Sequence, residues 1–452
     1  MAVSNLLRPV APDTGRLLEL ADWAVGELGA GADYVQVFAE STLHVKVECV
    51  DGEVLAVCVE PRDGLCCLVT KDGLWRFKAV APSQLPALAG WLGAAGSAAA
   101  PPWEPSATAD GFTPLAAPAW SVPDHPGSGP AHTIRSVEDF VCRNTAVADT
   151  NGVRSRTTTR TLRQRVEATV TVHGRRYRGL NRWLSNGAEE RAHPGAHEIS
   201  RVALEHARNS AAAVMTGRHR TPVVFGPAAA AGFLHELVGH ALEADNFSLG
   251  SDYITRLREP GNVPAALTLR DDATVAHGYG SYAIDDEGRA AGVTTLLENG
   301  EIGAPLTAMR AAQRGGHRPT ANGRRQDYRF LAIPRATNTV ALPGPDDPGR
   351  LSEDPRNGVL QVGCLGAGMI NLSTGEFSFA ALNCSYVTPA GDRVPVRDVS
   401  LVGDALATLA RLEGIGSDFG GDNVTCGKQG QSLGIGIYSP SMRYAALDWS
   451  AG

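Results

Sequence analysis

Two histidines five residues apart, with a glutamate beside the first, constrain this chain more than any other feature of it. Residues 234–245 read Leu-His-Glu-Leu-Val-Gly-His-Ala-Leu-Glu-Ala-Asp, which places His235, Glu236 and His240 on one expected helix. Two imidazoles can hold a divalent metal, and a carboxylate next to one of them can take a proton from water at that metal. The spacing is HExxxH, one residue longer than the common zinc-protease pattern. An ideal α-helix would set the two imidazoles about 140° apart, too far to share an ion comfortably. A local π-bulge brings positions five apart toward one face, and such bulges favour functional sites. Gly239 is the expected place for it. The competing reading is a helix with incidental histidines, because Phe233, Leu237 and Ala241 alternate with Leu234, Val238 and Leu242 as an apolar stripe.

With 452 residues the chain exceeds one small core, so two domains are expected. Its 43% hydrophobic and 20% charged residues describe an ordinary globular protein. A net charge of −7 argues against a broad phosphate-binding surface, and no direct nucleic-acid partner is expected. The local basic patches Arg175-Arg176-Tyr177-Arg178 and Arg324-Arg325 read as solvated turns or contacts to substrate carboxylates. The cysteines at 49, 58, 66, 67, 142, 364, 384 and 426 form no CxxC pair, and most sit in apolar runs as small buried hydrophobes. No signal peptide or apolar stretch of membrane-spanning length is evident, so a cytoplasmic location and no membrane partner are expected.

Residues 15–29 carry apolar positions at helical spacing and end in glycine. Alternating segments follow from Tyr34, His44 and Val54, with Asp51-Gly52 and Asp72-Gly73 as hairpin signals. Residues 94–133 are rich in Ala, Pro, Gly and Ser and read as a linker or surface excursion. Strand patterning resumes near Thr145 and Val166, and an Ala-rich helix near 196–215 leads to a Pro222-Val-Val-Phe strand. Pro227 then opens the HExxxH helix. Beyond residue 250 come glycine-punctuated β segments, with no long helical pattern before about 401–412. The fold class is therefore α+β. An N-terminal α/β domain with a small antiparallel sheet takes residues 1–93 and continues, with a connecting helix, over 134–220. A β-rich C-terminal domain over 221–452 carries the HExxxH helix.

A metal on two histidines needs a third protein ligand, and Glu243, Asp245 and Cys426 are the candidates. Cys426 lies in Gly-Gly-Asp-Asn-Val-Thr-Cys-Gly-Lys-Gln-Gly-Gln, a polar, glycine-lined setting where a thiolate ligand or a reactive thiol is expected. Around these residues the sequence resembles the TldD/PmbA family of metallopeptidases, also called modulators of DNA gyrase. The resemblance is carried by the 235–245 motif and by Ile-Asp-Asp-Glu-Gly at 284–288, Leu-Leu-Glu-Asn-Gly at 296–300 and Asn-Gly-Arg-Arg at 322–325. It continues in Ile-Pro-Arg-Ala-Thr-Asn-Thr at 333–339, Ser-Thr-Gly-Glu-Phe-Ser-Phe at 373–379 and Cys-Gly-Lys-Gln-Gly-Gln at 426–431. It implies a metal site of His235, His240 and Cys426, with zinc expected and iron left open, and Glu236 as the catalytic carboxylate. It also implies an assembly with a PmbA-like partner subunit that lacks the motif, a homodimer being the competitor.

Two departures stand out. The family commonly reads Glu-Gly-Asp where this chain has Glu243-Ala244-Asp245, and the stretch Gly363-Cys364-Leu365-Gly366-Ala367-Gly368 is bulkier than the usual glycine run. The second can reshape a substrate cleft. The expected activity is hydrolysis of peptide bonds in peptides or unfolded proteins. The alternatives are a dedicated hydrolase tailoring a peptide-like product and a non-catalytic protein-binding modulator. Glu243 and Asp245 are read as groups orienting imidazole N–H donors, or as ordinary helix-end charges. Lys428, Gly430 and Gln431 are read as shaping the Cys426 loop. Asp285, Asp286 and Glu287 line the cleft or, preferably, brace a turn before Gly288. Arg324, Arg325 and Arg335 bind a peptide carboxylate or make structural ion pairs.

Overall fold

The computed structural model describes residues 14–85, 88, 91, 132–187 and 196–452. The linker reading of 94–133 lies outside these, apart from its last two residues, which begin a strand. Helix α1 (Thr14–Gly29) buries Leu17, Leu20, Ala21, Ala24 and Leu28, one face at helical spacing. Six strands follow: β1 (Tyr34–Val50), β2 (Glu53–Lys71), β3 (Leu74–Val80), β4 (His132–Asp149), β5 (Arg154–Val172) and β6 (Arg175–Asn186). They form one antiparallel sheet in the order β3-β2-β1-β4-β5-β6. Strand β4, the first after the excursion, pairs with β1 and not with β3, the last before it, and the sheet, with strands up to 19 residues long, is larger than the small one expected. Asp51-Gly52 and Asp72-Gly73 have positive φ at both positions, the geometry of tight hairpin turns that match strand twist.

Alternation sorts this sheet into two faces. Val35, Val37, Ala39 and Val45 of β1 face α1 and a second helix, α2 (Ala196–Ala212), which lies against β5 and β6. The other face meets the C-terminal part of the chain. There Arg325 stacks 4.3 Å from the Phe38 ring and donates to Cys66 Sγ at 2.8 Å. Arg143 bridges Glu40 at 3.1 Å and Asp286 at 3.0 Å. Tyr328 lies so close to Gly64 that a Cβ there would come within 2.3 Å of its ring.

The C-terminal part contains two further large sheets. A seven-stranded sheet includes β7 (Gly217–Phe225) and the strands Val359–Ile370, Glu376–Val387 and Met442–Ala451. A six-stranded sheet ends in the strands Asn338–Ala341, Gln431–Ser439 and Gly420–Lys428, the last at its edge. Helix α3 (Pro227–Leu234) lies against both. It begins on Gly226 and Pro227 and is apolar all round, as a helix enclosed by sheets must be. Phe233 stacks on Phe225 at 4.8 Å and meets Tyr444 and Phe377 edge-on. The helical pattern read at 401–412 resolves into strand Val399–Asp404 and a short helix, Ala405–Leu409. Asp404 caps that helix by accepting from the Ala407 amide at 2.8 Å, which ends the strand there. No helix among the described residues is long and apolar enough to cross a membrane.

The acidic segment at 285–287 braces a turn. Asp285 accepts from the amides of Glu287, Arg289 and Gly323, and Glu287 accepts from the Met309 amide at 2.7 Å. Burial, then the neighbouring Asp285 charge, pushes the Glu287 carboxyl up to about 7. A carboxyl raised in the fold contributes stability that is fully present below its ordinary value of 4.5 and lost as pH rises through about 7. Glu287→Gln keeps the acceptor and cannot ionise. It is expected to flatten the fall in melting temperature that wild type shows as pH rises from about 4.5 to about 7.

Candidate metal centre

The expected helix does not continue as α-helix through the motif. His235–Gly239 is a π-turn, in which the His240 amide donates to the His235 carbonyl five residues back. Gly239 sits where a Cβ would come within 3.3 Å of His235 Nδ1, tighter than ordinary contact, so the residue at the bulge is small. A 3₁₀ turn over His240–Leu242 follows, and the chain breaks to extended geometry at Glu243. The Tyr253 hydroxyl donates to the Leu237 carbonyl, and Asn246 Nδ2 donates to the His240 carbonyl at 2.8 Å. Backbone carbonyls at the irregular turn are thereby satisfied.

The π-turn brings the two imidazoles together, with ring centroids 4.6 Å apart. Cys426 meets both: its Sγ lies 3.4 Å from His235 Nε2 and 3.2 Å from His240 Nε2. Candidate ligand atoms of the three residues lie within 4.8 Å of one another. Cys426 is not on a loop, as its polar surroundings suggested, but buried on the edge strand Gly420–Lys428, two residues before a hairpin turn. Gln429 and Gly430 make that turn with φ of 49° and 74°.

Each imidazole is held from its other nitrogen. His235 Nδ1 lies 2.9 Å from Thr339 Oγ1, and His240 Nδ1 lies 2.8 Å from Glu243 Oε2. Both Nε2 atoms are left facing the thiol. Glu243 is fully buried, accepts from the Ala336 amide at 3.2 Å, and pairs with Lys428 at 3.0 Å. Lys428 also contacts Asp245 at 2.6 Å and the Pro334 carbonyl at 3.1 Å. Arg335, fully buried, donates to the Cys426 carbonyl at 2.6 Å, so it supports the strand through its backbone. Burial alone would raise the Cys426 thiol. Hydrogen bonds and positive charge from His235 and His240 outweigh it and hold the thiol down, to about 4. Burial likewise disfavours charge on His240, but Glu243 and the thiol hold that imidazole well above its ordinary value. Glu243 is kept well below the carboxylate range, burial being overcome by His240 and Lys428.

Two nitrogen donors and one low-pKa sulfur at this separation fit a borderline-soft divalent ion such as zinc, which His235, His240 and Cys426 would hold. Glu236 stands beside them, its Oε1 4.0 Å from His240 Nε2 and its side chain 28% exposed. His235 and Glu236 line a cavity of about 2010 Å³ between the N-terminal sheet and the C-terminal sheets.

Among the other residues singled out from sequence, Glu243, Asp245 and Lys428 gather behind the histidines. Asp286 and Arg325 do not: their partners Arg143 and Cys66 place them at the junction with the N-terminal sheet. Arg324 donates to the Ala336 and Gly434 carbonyls, a backbone brace instead of a carboxylate contact or ion pair. Gln431 bonds to the Gln326 amide and the Leu331 carbonyl. Sequence reasoning assigned no role to Thr339 or Tyr253. Thr339 lies within a quoted block, but a threonine in a strand reads first as a β-former.

The family model for the PmbA/TldA metallopeptidase C-terminal domain matches residues 218–450. A metalloprotease of Methanothermobacter thermautotrophicus is 36% identical over 224 residues, 50% of this chain and 49% of the relative. A metalloprotease TldD homolog of Buchnera aphidicola is 31% identical over 228 residues, 50% of this chain and 47% of the relative. A zinc metalloprotease TldD homolog of Saccharolobus solfataricus is 30% identical over 227 residues, 50% of each chain. The chain spans about half the length of the curated relatives it matches. TldE from Thermococcus kodakarensis shares the fold, with a TM-score of 0.71 over 96% of this chain and 100% of that one at 13% identity. The class defined is metallopeptidase-type, α+β, with a His/His/Cys cluster in a β-rich C-terminal domain. The chain belongs to the PmbA/TldD family.

Thr339→Val removes the hydroxyl that fixes His235 while keeping the side chain's shape. Metal affinity, measured by competition with a chromophoric chelator, is expected to fall about tenfold or more, with the fold retained.

Proposed function

We propose that this chain hydrolyses peptide bonds in peptides or unfolded proteins, using a divalent metal held by His235, His240 and Cys426. The observation that carries the reading is the convergence of those three donors beside Glu236, where His235 and Glu236 reach the lining of a large cavity. A metal there supplies Lewis-acid polarisation of a carbonyl oxygen and makes water a better nucleophile. Zinc suits the donor set and is named for one relative; iron is the competing ion. Glu236 accepts the proton of the attacking water and returns it to the departing amine. Its Oε1 lies 4.0 Å from His240 Nε2, which brings it near the same point, and its side chain is only partly buried. Thr339 and Glu243 hold the imidazoles in the tautomer that presents Nε2. An extended substrate suits this β-lined cleft, where main-chain hydrogen bonds bind with little demand on side chains.

Glu236→Gln is expected to keep bound metal and lose turnover by about 10²-fold or more. His235→Ala and Cys426→Ser are expected to lower metal content itself, read by elemental analysis of purified protein. Wild-type protein that is metal-free and fully active would end the reading.

One observation favours a narrower version, a dedicated hydrolase tailoring one peptide-like molecule: the bulkier stretch Cys364–Gly368 lines the same cavity. A panel of unstructured peptides separates the two, since broad cleavage supports the general peptidase and inertness toward all supports the dedicated one. We also propose that the active form is an assembly with a PmbA-like subunit, supported by the fold shared with TldE. Native mass measurement after co-expression tests this, and full activity in a strictly monomeric sample opposes it.

A further inference from the structure

The cavity that reaches the candidate metal centre has the opposite charge to the protein that contains it. Ten arginine and lysine side chains line it against six carboxylates, in a chain whose net charge is −7. Strand alternation produces this. Val166, Ala168 and Val170 of β5 belong to the core beneath α2, while Arg163, Arg165 and Glu167 point the other way. On β6 the partners across the ladder extend the charged face: Arg182 lies opposite Arg165, Arg178 opposite Thr169 and Arg176 opposite Thr171.

Some of the charge is already matched. Asp139 holds Arg163 at 2.6 Å, and Asp422 holds Arg182 at 2.7 Å. Glu167 alone faces two guanidinium groups, Arg178 at 3.7 Å and Arg165 at 3.9 Å. Arg175, Arg176 and Arg393 are exposed, line the cavity, and have no carboxylate partner among the described residues. Unmatched cations on the wall of a cleft focus its potential and raise the local concentration of anionic partners.

Building on the peptidase reading, we infer that the cleft selects polypeptide segments rich in Asp and Glu. Their carboxylates pair with Arg175, Arg176, Arg178 and Arg393 while the main chain extends to Glu236. Guanidinium forks match carboxylates two bonds at a time, so the preference is for spaced acidic side chains and not for negative charge in general. A nucleic-acid strand carries charge at every residue and would meet Asp139, Glu167 and Asp422 on the same wall. An acidic peptide can place neutral residues there.

The test uses the full chain carrying Glu236→Gln and labelled, unstructured peptides of equal length bearing Glu, Gln or Lys at spaced positions. Fluorescence anisotropy gives affinity, and wild-type protein gives kcat/KM. The Glu peptide is expected to bind about tenfold more tightly than the Gln peptide at low ionic strength, the Lys peptide most weakly, with the gap closing as salt rises. Combined Arg175→Glu, Arg176→Glu and Arg178→Glu is expected to reverse the order, and the three Gln substitutions to abolish it. Melting curves check that the variants fold. Equal affinity for the three peptides, an order unmoved by the charge reversals, or tighter binding of a single-stranded oligonucleotide of matched charge would overturn the inference. If the Glu peptide is preferred yet wild type cleaves no peptide, the charge selection stands and the peptidase reading fails.

Discussion

The hydrogen bond from the His240 amide to the His235 carbonyl spans five residues instead of four, and the meeting of His235, His240 and Cys426 depends on that one residue of slack. In a regular α-helix the two imidazoles would diverge and Cys426 would meet only one of them. The extra residue rotates His240 back toward His235, so that both Nε2 atoms lie within 3.4 Å of one sulfur. A π-turn is intrinsically poorer than the helix it interrupts, and the surroundings over-determine it. Phe233 anchors the helix in an aromatic cluster, Tyr253 occupies the Leu237 carbonyl, and Gly239 leaves room for the His235 ring.

Behind the histidines lies a buried arrangement of charge that an apolar core would not tolerate piecemeal. Glu243 and Lys428 are almost never fully buried as residue types unless paired, and here they pair with each other. Asp245 and His240 complete the set. Removing one member would strand the charge of its partner, which costs far more than the pair contributes. The network therefore serves orientation more than stability. It fixes the His240 ring from one side while the edge strand delivers the thiol from the other.

Local signals carried much of this arrangement in the sequence. HExxxH, with a glycine before the second histidine, pointed to a π-turn, and Asp-Gly dipeptides marked two hairpins that the fold contains. The α+β class followed from where helical and alternating patterns fall. What was not legible depends on distance along the chain. Cys426 approaches His235 across 191 residues, and its glycine-rich surroundings concealed an edge strand. Thr339 comes to His235 through a parallel strand pairing that no local pattern encodes. For Asp286 and Arg325 the sequence left a cleft role open beside a structural one, because they are charged and lie in quoted motifs. Their contacts with Arg143, Phe38 and Cys66 show that they fasten C-terminal turns to the N-terminal sheet. At 401–412 a strand and a five-residue helix together imitated helical periodicity.

The hairpin that carries Cys426 has a further consequence. Lys428 pairs with Gln431 and Cys426 with Leu433 across a two-residue turn, so that turn sets the register in which the edge strand presents its side chains. Side chains on a strand alternate between faces, and a slip of one position would send the sulfur to the far side of the sheet. What this stretch must preserve is its count of residues. Substitutions between Gly427 and Ser432 that spare Lys428 and Gln431 would leave the thiol where it is, whereas inserting or deleting a single residue would take it away from both imidazoles, even with His235, His240 and Cys426 all retained.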